Sequence, residues 1–236
     1  MRIHIPQWCT RGIAVLAIAV PLTVLAAPTV GATQTKCDPN RTNNGVSYFD
    51  GWFNTGTAGQ VGGIYSNIEN YSPWVYPNSS VSAWSMLDNP SEDNWAQAGW
   101  IEYAYGTRYS FVEYTTSPGN YTTQLYPAYA VGDYTYYTTM YDGANSYFTF
   151  QIASNTMYQI QLSWVPDQAQ NYGEIHTLAD QMPGNRSWPE DFSSTYWWDA
   201  TGWKVFNGYA NNTGGGYFSN MVMSSTDDQI FDNACP

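Results

Sequence analysis

The sequence predicts an all-β protein, a two-sheet antiparallel β-sandwich of the jelly-roll, concanavalin-like kind. Three observations predict it. Helical periodicity is nearly absent, and the strand-favouring residues Tyr, Trp, Phe, Thr, Val and Ile dominate. Short alternating runs are separated by clusters of Gly, Pro, Asn, Asp and Ser. Turn signals stand between the runs, at Asp142-Gly143, Ser117-Pro118-Gly119, Pro183-Gly184 and Gly214–Gly216. Eleven or twelve such strands without an intervening helix bury their apolar faces only by packing one sheet on another.

Residues 1–32 read as a secretory signal peptide. Arg2 and Arg11 flank the leading segment, the uncharged run Gly12–Ala27 follows, and Val30-Gly31-Ala32 offers a small-residue cleavage site. Pro21 breaks the run, which is short for a membrane span. Residues 33–60 read as an N-terminal arm and residues 61–236 as one sandwich domain, large enough for a real core. Its strands are expected at Gly63–Asn70, Val81–Leu87, Trp95–Tyr105, Arg108–Tyr114, Tyr134–Tyr141 and Ser146–Ala153. They continue at Met157–Trp164, Tyr172–Leu178, Thr195–Trp198, Trp203–Tyr209, Tyr217–Met223 and Gln229–Phe231.

Once Cys9 leaves with the signal peptide, Cys37 and Cys235 remain, one at each end. In an oxidising compartment two leftover thiols pair, so a structural disulfide joining the termini is expected of a secreted, extracellular protein. All 19 acidic residues follow the signal peptide, against Lys36, Arg41, Arg108, Arg186 and Lys204. That balance argues against nucleic acid or an anionic membrane as partner, and it suits a protein working in acid.

Several chemistries lack their residues. The mature chain has one histidine, His176, and no G-x-S-x-G elbow, so a Ser-His-Asp triad has little support. One His and two terminal cysteines build no zinc site, and no phosphate loop or calcium loop is present. No cofactor and no metal are expected, with a carboxylate-only calcium site left open.

Two segments stand out, Asn94–Trp100 and Tyr172–Gly184. Alternation puts Trp95, Gln97, Gly99, Ile101 and Tyr103 on one face, with Ala96, Ala98, Trp100 and Glu102 on the other. In the later strand Tyr172, Glu174, His176 and Leu178 share a face. Gly99 and Gly173 leave room beside the sheet, and Glu102 reads as a solvated or salt-bridged residue. A glutamate can take a proton from water and pass it to a leaving amine, while a glutamine amide donates to the developing oxyanion. Buried polar residues are far more often satisfied structure than catalysts.

The surrounding residues sharpen the choice. Gly173-Glu174-Ile175, His176-Thr177 and Gln181-Met182-Pro183-Gly184 resemble the neprosin family of glutamic peptidases. Gln97-Ala98-Gly99-Trp100 resembles that family's other motif, with Gln for its acidic residue. The order Ser82-Ala83-Trp84, the Gln97 strand, the aromatic strand Tyr109–Tyr114, Val131-Gly132-Asp133 and the Glu174 strand is similar to the fungal eqolisins. The resemblance spans roughly Gly63 to Asn207. It implies a secreted acid endopeptidase with Glu174 as general base and acid and Gln97 as oxyanion donor. Around these, Trp84, Trp95, Trp100, Glu113, Tyr172, His176 and Gln181 are expected to contact a polypeptide substrate, in a monomer. The alternative is a non-catalytic sandwich that binds carbohydrate or cell-wall polymer through its many aromatic rings.

Overall fold

The computed structural model describes residues 35–235, so the signal peptide and the first residues of the arm lie outside the described residues. Fifteen strands follow one another: β1 Tyr48–Thr55, β2 Gly63–Glu69, β3 Ser80–Asn89, β4 Asn94–Tyr103, β5 Thr107–Ser117, β6 Asn120–Pro127, β7 Tyr134–Asp142 and β8 Tyr147–Ile152. Then come β9 Asn155–Gln161, β10 Gln168–Ile175, β11 Glu190–Asp199, β12 Gly202–Val205, β13 Tyr209–Asn212, β14 Phe218–Val222 and β15 Asp228–Asp232. They form a seven-stranded sheet, β13-β1-β10-β3-β4-β5-β6, and an eight-stranded sheet, β14-β15-β11-β2-β7-β8-β9, with β12 on β11. All the ladders are antiparallel.

The two-sheet sandwich is as the alternation predicts. Its core lies between the sheets, where Val81, Ala83, Leu87, Ala96, Ala98, Trp100 and Ile175 of one sheet meet Ile64, Ile68, Tyr137, Phe148, Phe150 and Phe192 of the other. The opposite face of the seven-stranded sheet carries a second apolar cluster, Trp84, Ile101, Phe111 and Tyr172. Both faces of β3, β4 and β10 are therefore buried, and these three central strands carry the candidate site.

The strand pattern departs from expectation most at four places. β1 lies inside the segment read as an arm and pairs with both β10 and β13. β6 is an edge strand, mostly exposed and ending at Pro127, so it shows no apolar alternation to read. The run expected at Trp203–Tyr209 splits into β12 and β13, which belong to different sheets. β10 also begins four residues earlier than expected and stops at Ile175. A turn closes it, with Thr177 N donating to Asp180 Oδ2 and Asp180 N to the Thr177 carbonyl.

Cys37 and Cys235 form a disulfide, with Cα atoms 5.0 Å apart. Beside it Arg41 donates through both terminal nitrogens to Asp232, at 2.6 and 2.8 Å, and its guanidinium lies over the rings of Tyr217 and Phe218. The chain end and the arm are thus clamped to β15. Reducing the disulfide is expected to lower unfolding stability by up to about 5 kcal/mol, the loop-entropy limit for so long a closed loop. Denaturant melts with and without reductant measure the loss.

Among the other buried acids, Asp50, Asp88 and Asp228 have no cation acting on them, and Glu102 has only the charge of Arg108. Burial pushes the carboxyls of Asp50 and Glu102 up to about 7 and those of Asp88 and Asp228 up to about 8. In each, one oxygen is buried without a hydrogen-bond partner, so charge there is poorly solvated. Glu102 is 3% exposed and, among the described residues, accepts from Ser72 without forming a salt bridge, so it is a buried acid and neither solvated nor salt-bridged as expected, because β4 turns it toward the inter-sheet side. A carboxyl raised in the folded state contributes stability that is complete below its unfolded value and is lost as pH rises through the folded one. The lowered acids Asp142, Asp199 and Asp227 act oppositely, and only in stronger acid. Thermal melts across pH are therefore expected to peak near about pH 4, the ordinary carboxylate range, and to fall steadily toward pH 8. A flat or rising profile over that window would refute the account.

Candidate active site

A groove of about 560 Å³ runs over the outer face of the seven-stranded sheet. Ladder register places its floor in rows. One row reads Phe53, Gln170, Met86, Gln97, Glu113 and Thr123 across β1, β10, β3, β4, β5 and β6. The next reads Gly51, Tyr172, Trp84, Gly99, Phe111 and Leu125, and the one beyond it Phe49, Glu174, Ser82, Ile101 and Tyr109. Gln97 and Glu174 thus share a face and a groove and flank the Trp84 row. They are separated by β3 and by four residues of register, about 10 Å across the strands and about 14 Å along them in backbone terms. No hydrogen bond joins them among the described residues.

Gln97 is 5% exposed, and its Nε2 donates to Glu113 Oε1 at 3.0 Å. Trp95 Nε1 donates to the same oxygen at 3.2 Å, and Thr123 Oγ1 donates to Glu113 Oε2. Glu174 accepts from Trp84 Nε1 at 3.2 Å, and its Oε1 lies 3.6 Å from His176 Nε2. Burial raises the Glu174 carboxyl above its ordinary range. His176 and the bonds from Trp84 and Ser82 oppose that shift, and the charge of Glu113 adds to it.

The residues expected around the pair divide. Trp84, Trp95, Glu113 and Tyr172 line the groove with Gln97 and Glu174, and the Trp84 and Tyr172 rings lie 5.4 Å apart. Three others do not line it. Trp100 is a core residue, 2% exposed, and its indole N–H reaches the Glu69 carbonyl and Glu190. Gln181 is buried in the loop beyond β10, accepting from Trp74 N. His176 falls past the end of β10, outside the alternation that was to align it, and leans toward Ser47 Oγ and Glu174.

Sequence reasoning missed Gln170, Asp88 and Met86. Gln170 stands level with Gln97 across β3, with Met86 between them, and its amide donates to Asp88 Oδ2 at 2.6 Å and to Gln168. Carrying the alternation one strand-start earlier, to Gln168, finds both amides.

The two glycines expected to leave room are already filled. A Cβ on Gly99 would stand 2.1 Å from the Ala83 carbonyl oxygen and 2.7 Å from Trp84 Cα, so Gly99 lets β3 and Trp84 close in. At Gly173 the space belongs to Ile230 and Met182 of the core. Gly99→Ala is therefore expected to destabilise the fold by about 1–3 kcal/mol, an overpacking cost, and to shift Trp84. Chemical denaturation with indole fluorescence reads both, and unchanged values would show that the close approach is not required.

No protein-family model and no curated protein matches the chain. Solved structures do. One is scytalido-glutamic peptidase with a peptide-based transition-state analogue, at a TM-score of 0.62 and 11% identity, covering 81% of this chain and all of that one. Another is SCP-B, a member of the eqolisin family of peptidases, in complex with the tripeptide Ala-Ile-His. It matches at a TM-score of 0.61 and 10% identity, over 81% of this chain and all of that one. The fold is that of the eqolisin glutamic peptidases, complete from end to end of their chains.

Proposed function

We propose that the protein is a secreted, monomeric, acid-active endopeptidase of the glutamic type that takes an extended polypeptide into the groove. One observation carries the reading. The groove gathers Gln97, Glu113 and Glu174 on one face, in a fold shared with peptidases solved around a peptide-based analogue and a tripeptide.

Here Glu174 is general base and then general acid. It takes a proton from water as the water oxygen attacks the scissile carbonyl, and it passes that proton to the amine nitrogen as the C–N bond breaks. Burial supports the role, because a raised carboxyl holds and releases its proton nearer to neutrality than an exposed one. Gln97 supplies its remaining N–H to the tetrahedral oxygen. The scissile peptide would lie above the Trp84–Tyr172 row, between the two residues, and binding must draw their side chains together.

A second reading is peptide binding without hydrolysis. It is favoured by Gln170, an amide where a carboxylate would stand level with Gln97, and by the bulk of Met86 between them. Hydrolysis of an unfolded protein substrate from pH 2 to 7 separates the readings. For a peptidase, Glu174→Gln nearly abolishes turnover with the fold intact. Gln97→Ala then costs about two to three orders of magnitude, the usual loss of one oxyanion donor. Full activity in both variants rejects the assignment. Binding without turnover by the wild type selects the second reading, and Gln170→Glu is then the variant expected to gain hydrolysis.

A further inference from the structure

Three donors converge on Glu113, and all of them are cross-strand neighbours. Trp95 and Gln97 are two residues apart on β4, and Thr123 is its ladder partner on β6. Gln97 meets Glu113 through its amide nitrogen, the donating end of the side chain. The planar amide then turns its carbonyl Oε1 away from β5, and none of the hydrogen bonds among the described residues uses that oxygen. One N–H of Gln97 also stays uncommitted. Those two groups are what a bound peptide and its attacking water would meet.

We propose that Glu113 is the positioning residue of the groove: it fixes which end of the Gln97 amide faces the substrate, and from the same groove its charge adds to the field at Glu174 that His176 opposes. The kinetic half of this inference rests on the peptidase reading above, and the electrostatic half does not.

Several groups face or neighbour Glu174. His176 follows it on its own chain segment and opposes the effect of Glu113. Tyr172 precedes it on β10, Trp84 and Ser82 donate from β3, and Asp88 lies further along that strand. Tyr103 of β4 and Tyr109 of β5 flank the cluster, and Asp50 of β1 lies beneath Tyr172. Among the acids named, only Glu113 contributes to the Glu174 shift, so removing its charge has one direction of effect.

The test uses the full-length secreted chain with carbon-13-labelled glutamate. Glu113→Gln should move the Glu174 titration midpoint down, while Glu113→Asp, which keeps the charge, should leave it near the wild-type value. In a chain that hydrolyses peptide, Glu113→Gln should also lower kcat about tenfold with KM within about twofold, the pattern of a misaligned catalytic group. The acid limb of its pH profile should move to lower pH with the midpoint. A Glu174 midpoint that stays put or rises in Glu113→Gln overturns the proposal. So does a shift of equal size in Glu113→Asp, which would mark a structural disturbance instead. In a chain without turnover the titration alone decides, so failure of the peptidase reading and failure of this inference are separate results.

Discussion

A chain with 19 acidic residues and seven basic ones cannot neutralise its buried acids with cations. Arg41 serves one of them, Asp232, and does so where the disulfide already pins the chain. The rest must be hydrogen-bonded or protonated. Glu190 is the extreme case, fully buried, with one oxygen bonded to Trp100 and the other to nothing, and burial raises it well above the ordinary carboxylate range. Folding stability is thereby expected to be greater in acid than at neutral pH. Neutral pH asks Asp50, Asp88 and Asp228 to ionise with no cation acting on them, and Glu102 with only the charge of Arg108 to offset its burial.

The same shortage shapes the groove. No Lys or Arg lines it, so its carboxylates are held by indoles, hydroxyls and amides: Trp84 on Glu174, Trp95, Gln97 and Thr123 on Glu113, and Gln170 on Asp88. Neutral donors stabilise a carboxylate less than a guanidinium does, so its proton stays exchangeable, and they fix its orientation. A site that moves protons needs both properties. An arginine beside Glu174 would hold it ionised and work against the proton-donor role proposed for it.

Much of the fold was legible because sheet physics writes alternation into sequence. Strands with one face in the core, such as Ile64, Ser66 and Ile68 against Tyr65 and Asn67, announced themselves. β6 did not, since an exposed edge strand has no apolar face to display, and β1 lay within residues 33–60, the short span read as an arm. Of the site, the faces of Gln97, Glu174 and Tyr172 followed from period two alone. His176 and Leu178 did not, because the Thr177–Asp180 turn ends the strand before them. A side-chain cap at a strand end is invisible to a periodicity argument.

Register across strands is the property no single segment records. Residues 94–100 and 172–184 each looked right in isolation, yet their alignment depends on β3, which pairs Met86 with both Gln97 and Gln170 and pairs Ser82 with Glu174. A four-residue offset keeps both side chains on one face, since the side-chain period is two, and so every facial argument survives it. What changes is which groups stand level. Gln97 faces Glu113 on one side and, past Met86, Gln170 on the other, while Glu174 stands level with Ser82 and Ile101. The groove therefore has two polar stations divided by the Trp84–Tyr172 rings. Any chemistry that brings Glu174 and Gln97 to one carbonyl must therefore span those rings, with Glu113 holding the Gln97 amide on the far side.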